Sequence, residues 1–367
     1  MIMNLSAPCH FGLESVLKYE LKKINAENIS AHDGRVDFTG DFETVAKANV
    51  NCSVAERIRI CLGEFYAKSF SEFIEECDQI RWEDFIGRND KFPVKGSALD
   101  CEITSIPRLQ ATVKKSAVNR LKSVYNVNFC EETDALFQIE FSGLKNTYRI
   151  YIDTTGAGLH KRGYRPSANT APIKETLAAG IADIARVKYE NSVTDPFCGS
   201  GTLLIESVYK ALNIAPGLRR KFTAESWTHL NSPEIWDSVR SDAKAKINKD
   251  KDFTAYGYDI DPEAVELTIK NAERAGIRKR IIVKCADIRK GEFPQNGIIL
   301  TNPPYGERML DLKEAEELYR VMGQKFSPPA AVISPHEDFE KFYGVRASKK
   351  RKLYNGMIKC NLYLYNN

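Results

Sequence analysis

The stretch after Pro172 constrains the fold most. It alternates helices with short apolar strands, the signature of a parallel, doubly wound α/β sheet. Strands are expected at 193–195, 253–259, 281–285, 297–301 and 330–334. Helices are expected over 173–185 (entered through Thr170 and Pro172), from Thr202, over 262–275 with Gly276 as C-cap, and over 312–325. The chain ends in KLYNGMIKCNLYLY, where Asn355-Gly356 between two alternating runs reads as a type I′ hairpin. A hairpin closing a parallel sheet is more specific than a generic doubly wound fold.

Open α/β sheets bind ligands outside the carboxyl ends of their strands, so four strand ends carry the chemistry. The first is Asp195-Pro-Phe197-Cys-Gly199-Ser200-Gly201-Thr202. Its glycines let the backbone turn tightly toward a ligand, and the following helix offers free N–H groups. It is neither a G-x-G-x-x-G dinucleotide loop nor a P-loop, which needs a Lys; a plain strand-to-helix turn is the bland alternative. The second is Asp259-Ile260-Asp261, where a carboxylate can hold a ribose diol; Asp261 serves equally well as an N-cap ahead of Pro262. The third, Asp287-Ile288, can meet an adenine amino group. The fourth decides the reading: Asn302-Pro303-Pro304-Tyr305-Gly-Glu-Arg after a buried strand. The prolines stiffen the loop. The Asn302 amide oxygen and the Pro303 carbonyl can accept from an exocyclic amine, and Tyr305 offers a face for a flipped base.

The first 153 residues read differently. Helices at 15–24, 41–50, 71–87 and 107–125 alternate with strands at 34–38, 53–62, 98–103, 136–141 and 147–153, an α+β texture. A Gly- and Pro-containing link, 154–172, marks a boundary. The net charge of +4 is uninformative, but residues 1–160 carry 19 basic against 23 acidic residues and 161–367 carry 34 against 26. Within the acidic half, 106–122 is an acid-free amphipathic helix with Arg108, Lys114, Lys115, Arg120 and Lys122; it is either a solvated face or an anion-binding one. The segment 213–252, which includes Arg219, Arg220 and Lys221, exceeds an ordinary βαβ crossover and is expected to be an insertion near the ligand edge. Nine scattered cysteines without C-x-x-C and five dispersed histidines support neither zinc nor disulfides, so no metal is expected, and reduced thiols suit a cytosolic protein. No apolar run is long enough to cross a membrane, and the N-terminus lacks the pattern of a signal peptide.

The run D-P-F-C-G-S-G-T, the acidic strand ends and N-P-P-Y resemble class I S-adenosylmethionine (SAM)-dependent amino-methyltransferases. N-P-P-Y-G-E-R, L-H-K-R-G-Y-R (159–165), A-P-I-K-E-T-L-A-A (171–179) and K-L-Y-N-G resemble a narrower group: bacterial large-subunit ribosomal RNA guanine-N2 methyltransferases and relatives acting on transfer RNA. The resemblance implies a Rossmann-like domain at 173–367, with a seven-stranded sheet and C-terminal antiparallel hairpin. A ferredoxin-like domain at 1–62, a THUMP RNA-binding domain at 63–155 and a linker at 156–172 would precede it. It assigns Asp195, Phe197, Gly199, Ser200 and Gly201 to the SAM methionine moiety, Asp259 with Ile260 to the ribose side, Asp287 and Ile288 to the adenine, and Asn302, Pro303, Pro304 and Tyr305 to the target base. Arg162 and Arg165 of the link, with Arg219, Arg220 and Lys221 of the insertion, join the basic helix as expected RNA contacts.

The expected reaction is therefore methylation of a guanosine N2 amine in structured RNA, 23S ribosomal RNA first and transfer RNA second. N-P-P-Y fits adenine-N6 methylation of DNA as well, and an RNA-binding assembly factor without catalysis is the alternative outside enzymology; the intact Asp195, Asp259 and N-P-P-Y argue against the latter.

Overall fold

The computed structural model describes residues 1–165, 173–294, 296–305 and 312–366. Thr170, Ala171, Pro172 and the Gly306-Glu307-Arg308 part of the fourth strand end lie outside them.

The first half runs β1 (Met3–Pro8), α1 (Glu14–Lys23), β2 (Glu27–His32), β3 (Arg35–Gly40), α2 (Phe42–Asn51), β4 (Arg59–Tyr66), α3 (Phe70–Asp78), β5 (Val94–Leu99), α4 (Ile106–Tyr125), β6 (Ile139–Leu144) and β7 (Thr147–Asp153). Two of its helices begin where side chains satisfy free N–H groups. Asp41 caps α2 through the Thr44 N–H, and Ser69 with Glu72 forms a capping box on α3. The strands make one seven-stranded sheet in the order β2-β3-β1-β4-β7-β6-β5. A division at residue 62 therefore falls inside β4, and one sheet joins the two segments on either side.

Two expected elements are shorter than their apolar patterns. The strand expected at 53–62 begins only at Arg59, because the Glu20 carboxylate accepts the Ser53 and Val54 N–H groups and the Glu56 N–H bonds Pro8, holding 53–56 off the ladder. The helix expected at 71–87 stops at Asp78, and a 3-10 turn at Trp82–Asp84 follows, with Trp82 buried.

The second half runs α5 (Glu175–Ile184), β8 (Val193–Asp195), α6 (Thr202–Ala211), α7 (Pro233–Ala245), β9 (Ala255–Asp259), α8 (Pro262–Ala275), β10 (Ile281–Cys285), β11 (Ile298–Thr301), α9 (Leu312–Lys325), β12 (Ala330–Ser334), α10 (Phe339–Tyr343), β13 (Lys349–Asn355) and β14 (Ile358–Tyr365). Its sheet order is β10-β9-β8-β11-β12-β14-β13, parallel except for β14. This is the expected Rossmann-like sheet with an antiparallel hairpin. The turn, however, sits one residue later than the Asn-Gly signal suggests. Asn355 pairs with Ile358, so Gly356-Met357 form the two-residue loop, and only Gly356 has a positive φ (63°). That is the Gly-first II′ pattern rather than I′.

The two halves share a continuous apolar core, and the insertion is what braces them. Trp227 stacks on Phe137 at 4.3 Å and donates to the Leu136 carbonyl (2.9 Å), and Gly217 N–H bonds Val50. Arg220 is not available to RNA as the sequence suggested. Its guanidinium donates to the carbonyls of Ala157, Gly158 and Lys161, and burial brings it down to about 10. Arg219 donates to the Arg274 carbonyl (2.9 Å). Glu56 forms a second brace, ion-paired with His10, His160 and Lys174 and accepting from Thr176. Burial alone would raise its carboxyl, but these hydrogen bonds hold it well below the usual range.

Arg162 is buried, which corrects its assignment as an RNA contact. It donates to the carbonyls of Leu159 (2.6 Å) and Ser53 and faces the equally buried Glu206 at 3.5 Å; Tyr164 also donates to Glu206 (2.9 Å). Arg162→Met should therefore lower the unfolding free energy by about 3–5 kcal/mol, since it leaves a buried carboxylate without its cation. Urea denaturation measures this, and adding Glu206→Gln should recover part of the loss.

Candidate active site

Asp195, ending β8, is 2% exposed. Its Oδ1 accepts from the Phe197 N–H (3.1 Å) and from the Thr301 hydroxyl (2.6 Å), so the first and fourth strand ends are bonded directly. Burial pushes its carboxyl up to about 7, with Asp259 adding a like charge, while the two hydrogen bonds pull the other way. The turn after it is fixed from beneath by α8. Thr268 donates to the Gly199 carbonyl (2.7 Å) and Asn271 to that of Ser200 (2.9 Å). Gly201, at φ +77°, must be glycine: a Cβ there would lie 2.7 Å from Thr268. At Gly199 a Cβ would meet nothing within 4 Å, so the turn opens onto free space.

Asp259 ends β9 and reaches the same turn. Its Oδ2 accepts the Gly199 N–H (2.9 Å) and its Oδ1 the Asp261 N–H (3.0 Å), which leaves each oxygen a further lone pair for a diol. Asp261 caps α8, the modest role weighed for it. Ile260 is 60% exposed beside it, a flat apolar surface at the strand end. Asp287 follows β10 and accepts the Arg289 N–H (2.9 Å). Ile288 differs from its expected place against an adenine: its side chain is buried in the second apolar cluster, so only its backbone can face a ligand there.

Asn302 leaves β11 half-buried, Pro303 is buried, and Pro304 and Tyr305 are half-buried. The Tyr319 hydroxyl of α9 donates to the Pro304 carbonyl (3.1 Å) and pins the loop. The order across the sheet edge is thus acidic end (β9), glycine turn (β8), Asn-Pro-Pro-Tyr (β11), with two carboxylates close together. Neither Asp195 nor Asp259 has an ion pair among the described residues. Such a site fits a ligand carrying cationic groups, a diol and a flat apolar ring, which are the features of SAM.

Three residues of this site escaped the sequence reading. Thr268 and Asn271 were discoverable as polar positions three apart on the buried face of α8, and Thr301 as the hydroxyl ending an apolar strand. Arg165 was assigned to RNA; instead it ion-pairs with Glu175 (3.0 Å) and donates to Thr202 (3.2 Å), whose hydroxyl lies 3.0 Å from that of Ser200. It supports the glycine turn from the link. On α4, the acids missing from the helix come from its neighbours: Arg120 pairs with Glu83 and Lys114 with Glu132. Lys115 and Arg108 stay exposed, Arg108 over the Phe70 ring at 4.0 Å, and Lys122 is half-buried. Among the described residues no His/Cys/Asp/Glu cluster could hold a metal ion, and no helix is long and apolar enough to cross a membrane.

Fold and site define a Rossmann-like methyltransferase of class I type. Residues 162–363 match the family described as RMKL-like, methyltransferase domain, and residues 4–59 match the RlmL ferredoxin-like domain. The chain belongs to this methyltransferase family. It is 39% identical to the "Putative RNA methyltransferase YpsC" of Bacillus subtilis (strain 168), over 99% of this chain and 95% of that protein. It is 33% identical to the "Ribosomal RNA large subunit methyltransferase K/L" of Psychromonas ingrahamii over 99% of this chain, and spans about half the length of that relative (50%). Among solved structures, "SMU.472, a putative methyltransferase complexed with SAH" superposes with a TM-score of 0.94 at 36% identity, covering 100% of this chain and 98% of the other.

Proposed function

We propose that the chain is a SAM-dependent RNA methyltransferase that modifies the exocyclic N2 amine of a guanosine in 23S ribosomal RNA, in the cytoplasm. In this reading 1–62 is the ferredoxin-like unit, 63–155 a THUMP RNA-binding unit, 156–172 the linker and 173–367 the catalytic domain. The observation that carries it is Asn302-Pro303-Pro304-Tyr305 held beside Asp195 by the Thr301 bond. The names of the K/L relatives support RNA as the substrate, as do the exposed Arg108 and Lys115 of α4 together with Lys122.

When bound, SAM supplies an electrophilic methyl group on a sulfonium. Asp195, Phe197, Gly199, Ser200 and Gly201 would hold its methionine part, Asp259 and Ile260 the ribose and one ring face, and Asp287 with the Ile288 backbone the adenine. The Asn302 amide oxygen and the Pro303 carbonyl accept the hydrogens of the target amine. That draws its lone pair out of conjugation with the ring and toward the methyl group. Tyr305 stacks the extruded base. Positioning of this kind can be worth roughly 7–11 kcal/mol of the barrier.

The test is transfer of a tritiated methyl group to total RNA from a strain lacking the gene, followed by separation of ribosomal from transfer RNA and mass spectrometry of the nucleosides. The expected product is N2-methylguanosine in the 23S fraction. Label in N6-methyladenosine, in transfer RNA alone, or in no RNA would overturn the reading.

A further inference from the structure

The ladder places a second set of side chains level with the target-base loop. Thr301, Val332, Tyr363 and Lys350 share one row across β11, β12, β14 and β13. β13 runs in the same direction as β11, so Lys352 and Tyr354 extend past that row on the side where Asn302–Tyr305 emerge. Three strand spacings, about 14 Å, separate the two.

At this end of β13 the hairpin meets the first half of the chain. Phe11, 52% exposed, approaches Tyr354 edge-on (centroids 6.0 Å apart, planes at 62°). The Lys352 ammonium lies 5.3 Å from the Tyr354 centroid, and Lys359 is the cross-strand partner of Tyr354. Lys349, Lys352 and Lys359 are exposed and form no ion pair among the described residues. The loop bearing Phe11 is fixed. Glu14 accepts the N–H groups of Gly12 and Gly34, and Gly12 passes so close to the Lys352 carbonyl that a Cβ would fall 2.6 Å from it. If these aromatics only sealed the seam between the halves they would be buried, as Leu353, next to Tyr354 in the chain, is (0% exposed). Instead two rings, one of them more than half exposed, stand among uncompensated cations.

We infer that Phe11 and Tyr354, flanked by Lys352 and Lys359, form a stacking platform for an unpaired nucleotide of the RNA that lies a few nucleotides along the strand from the one presented to Asn302. This rests on the RNA reading above. Aromatic faces accept any base, and the lysines reach for the phosphates on either side.

Fluorescence anisotropy of the full chain with a labelled 12-nucleotide single-stranded RNA of mixed sequence tests it. Phe11→Ala with Tyr354→Ala should weaken binding roughly 10- to 100-fold, and Phe11→Trp, which keeps an aromatic face, should bind as tightly as wild type. Affinity for S-adenosylhomocysteine and the thermal midpoint should stay unchanged, and a duplex of the same sequence should bind nearly as it does to the parent protein. Oligonucleotide binding by the double variant within twofold of wild type, or none by wild type, overturns the platform. Methyl transfer by wild type is read separately: an inactive protein whose oligonucleotide affinity still depends on both rings would refute the methyl-transfer reading and keep the platform.

Discussion

Asn302→Ala should lower single-turnover methyl transfer by about 10³-fold while leaving the affinity for S-adenosylhomocysteine within twofold of wild type. Loss of one preorganised hydrogen-bonding group at a reacting centre typically costs 10²–10³ in rate. Here the lost acceptor is also what orients the amine, so the upper end is expected. The groups assigned to the cofactor lie on other strand ends, β8, β9 and the turn after β10, and the Thr301–Asp195 bond that links the two regions precedes the substituted side chain. Asn302→Asp separates orientation from folding. It keeps an acceptor oxygen, while exchanging the NH2 donor for a second acceptor and adding a negative charge, so it should retain more activity than the alanine variant. Transfer by Asn302→Ala within tenfold of wild type would remove Asn302 from the mechanism.

Much of this arrangement was legible in the residues, for a physical reason. A parallel strand buried on both faces reads as a short apolar run, and the polar residue that ends it has nowhere to go but the ligand edge. Asp195, Asp259 and Asn302 are such residues, and their strands end where the apolar runs end. Helix α8 was legible to the residue because Asp261, Pro262 and Gly276 punctuate it. What stayed hidden depends on contacts between distant segments. The acid-free face of α4 looked unpaired because Glu83 and Glu132 lie outside the helix. Arg162, Arg165 and Arg220 looked like surface cations because nothing in a local window announces Glu206, Glu175 or a row of linker carbonyls. Long-range pairing turns basic side chains from ligand contacts into scaffold, and one-dimensional charge counting cannot see it. The same blindness concealed the partnership of Phe11 and Tyr354, which are separated by most of the chain.

Asp195 supplies the second large effect, and it depends on pH. A buried carboxyl raised to about 7 keeps its proton in the folded protein over a range where the unfolded chain has lost it. Without ligand, this group's contribution to stability is present in full at low pH and declines as pH rises from about 4 toward 7, by roughly 4 kcal/mol in all. Asp195→Asn mimics the protonated form and can still accept from Thr301 and Phe197, so at pH 8 it should be at least as stable as wild type in urea. Ligand binding should move the opposite way. The α-ammonium of the cofactor, with an ordinary pKa near 8, favours ionised Asp195. Below pH 7 binding must therefore expel a proton. The affinity of wild type for S-adenosylhomocysteine should fall as pH drops from 7 to 6, by up to about tenfold per pH unit. In Asp195→Asn that slope should vanish, and at pH 8 the affinity should be lower by about 10- to 100-fold, the worth of a charge-assisted hydrogen bond. Calorimetric titration at pH 6, 7 and 8 reads both quantities, and a flat wild-type profile would show that no cationic group of the ligand sits against Asp195.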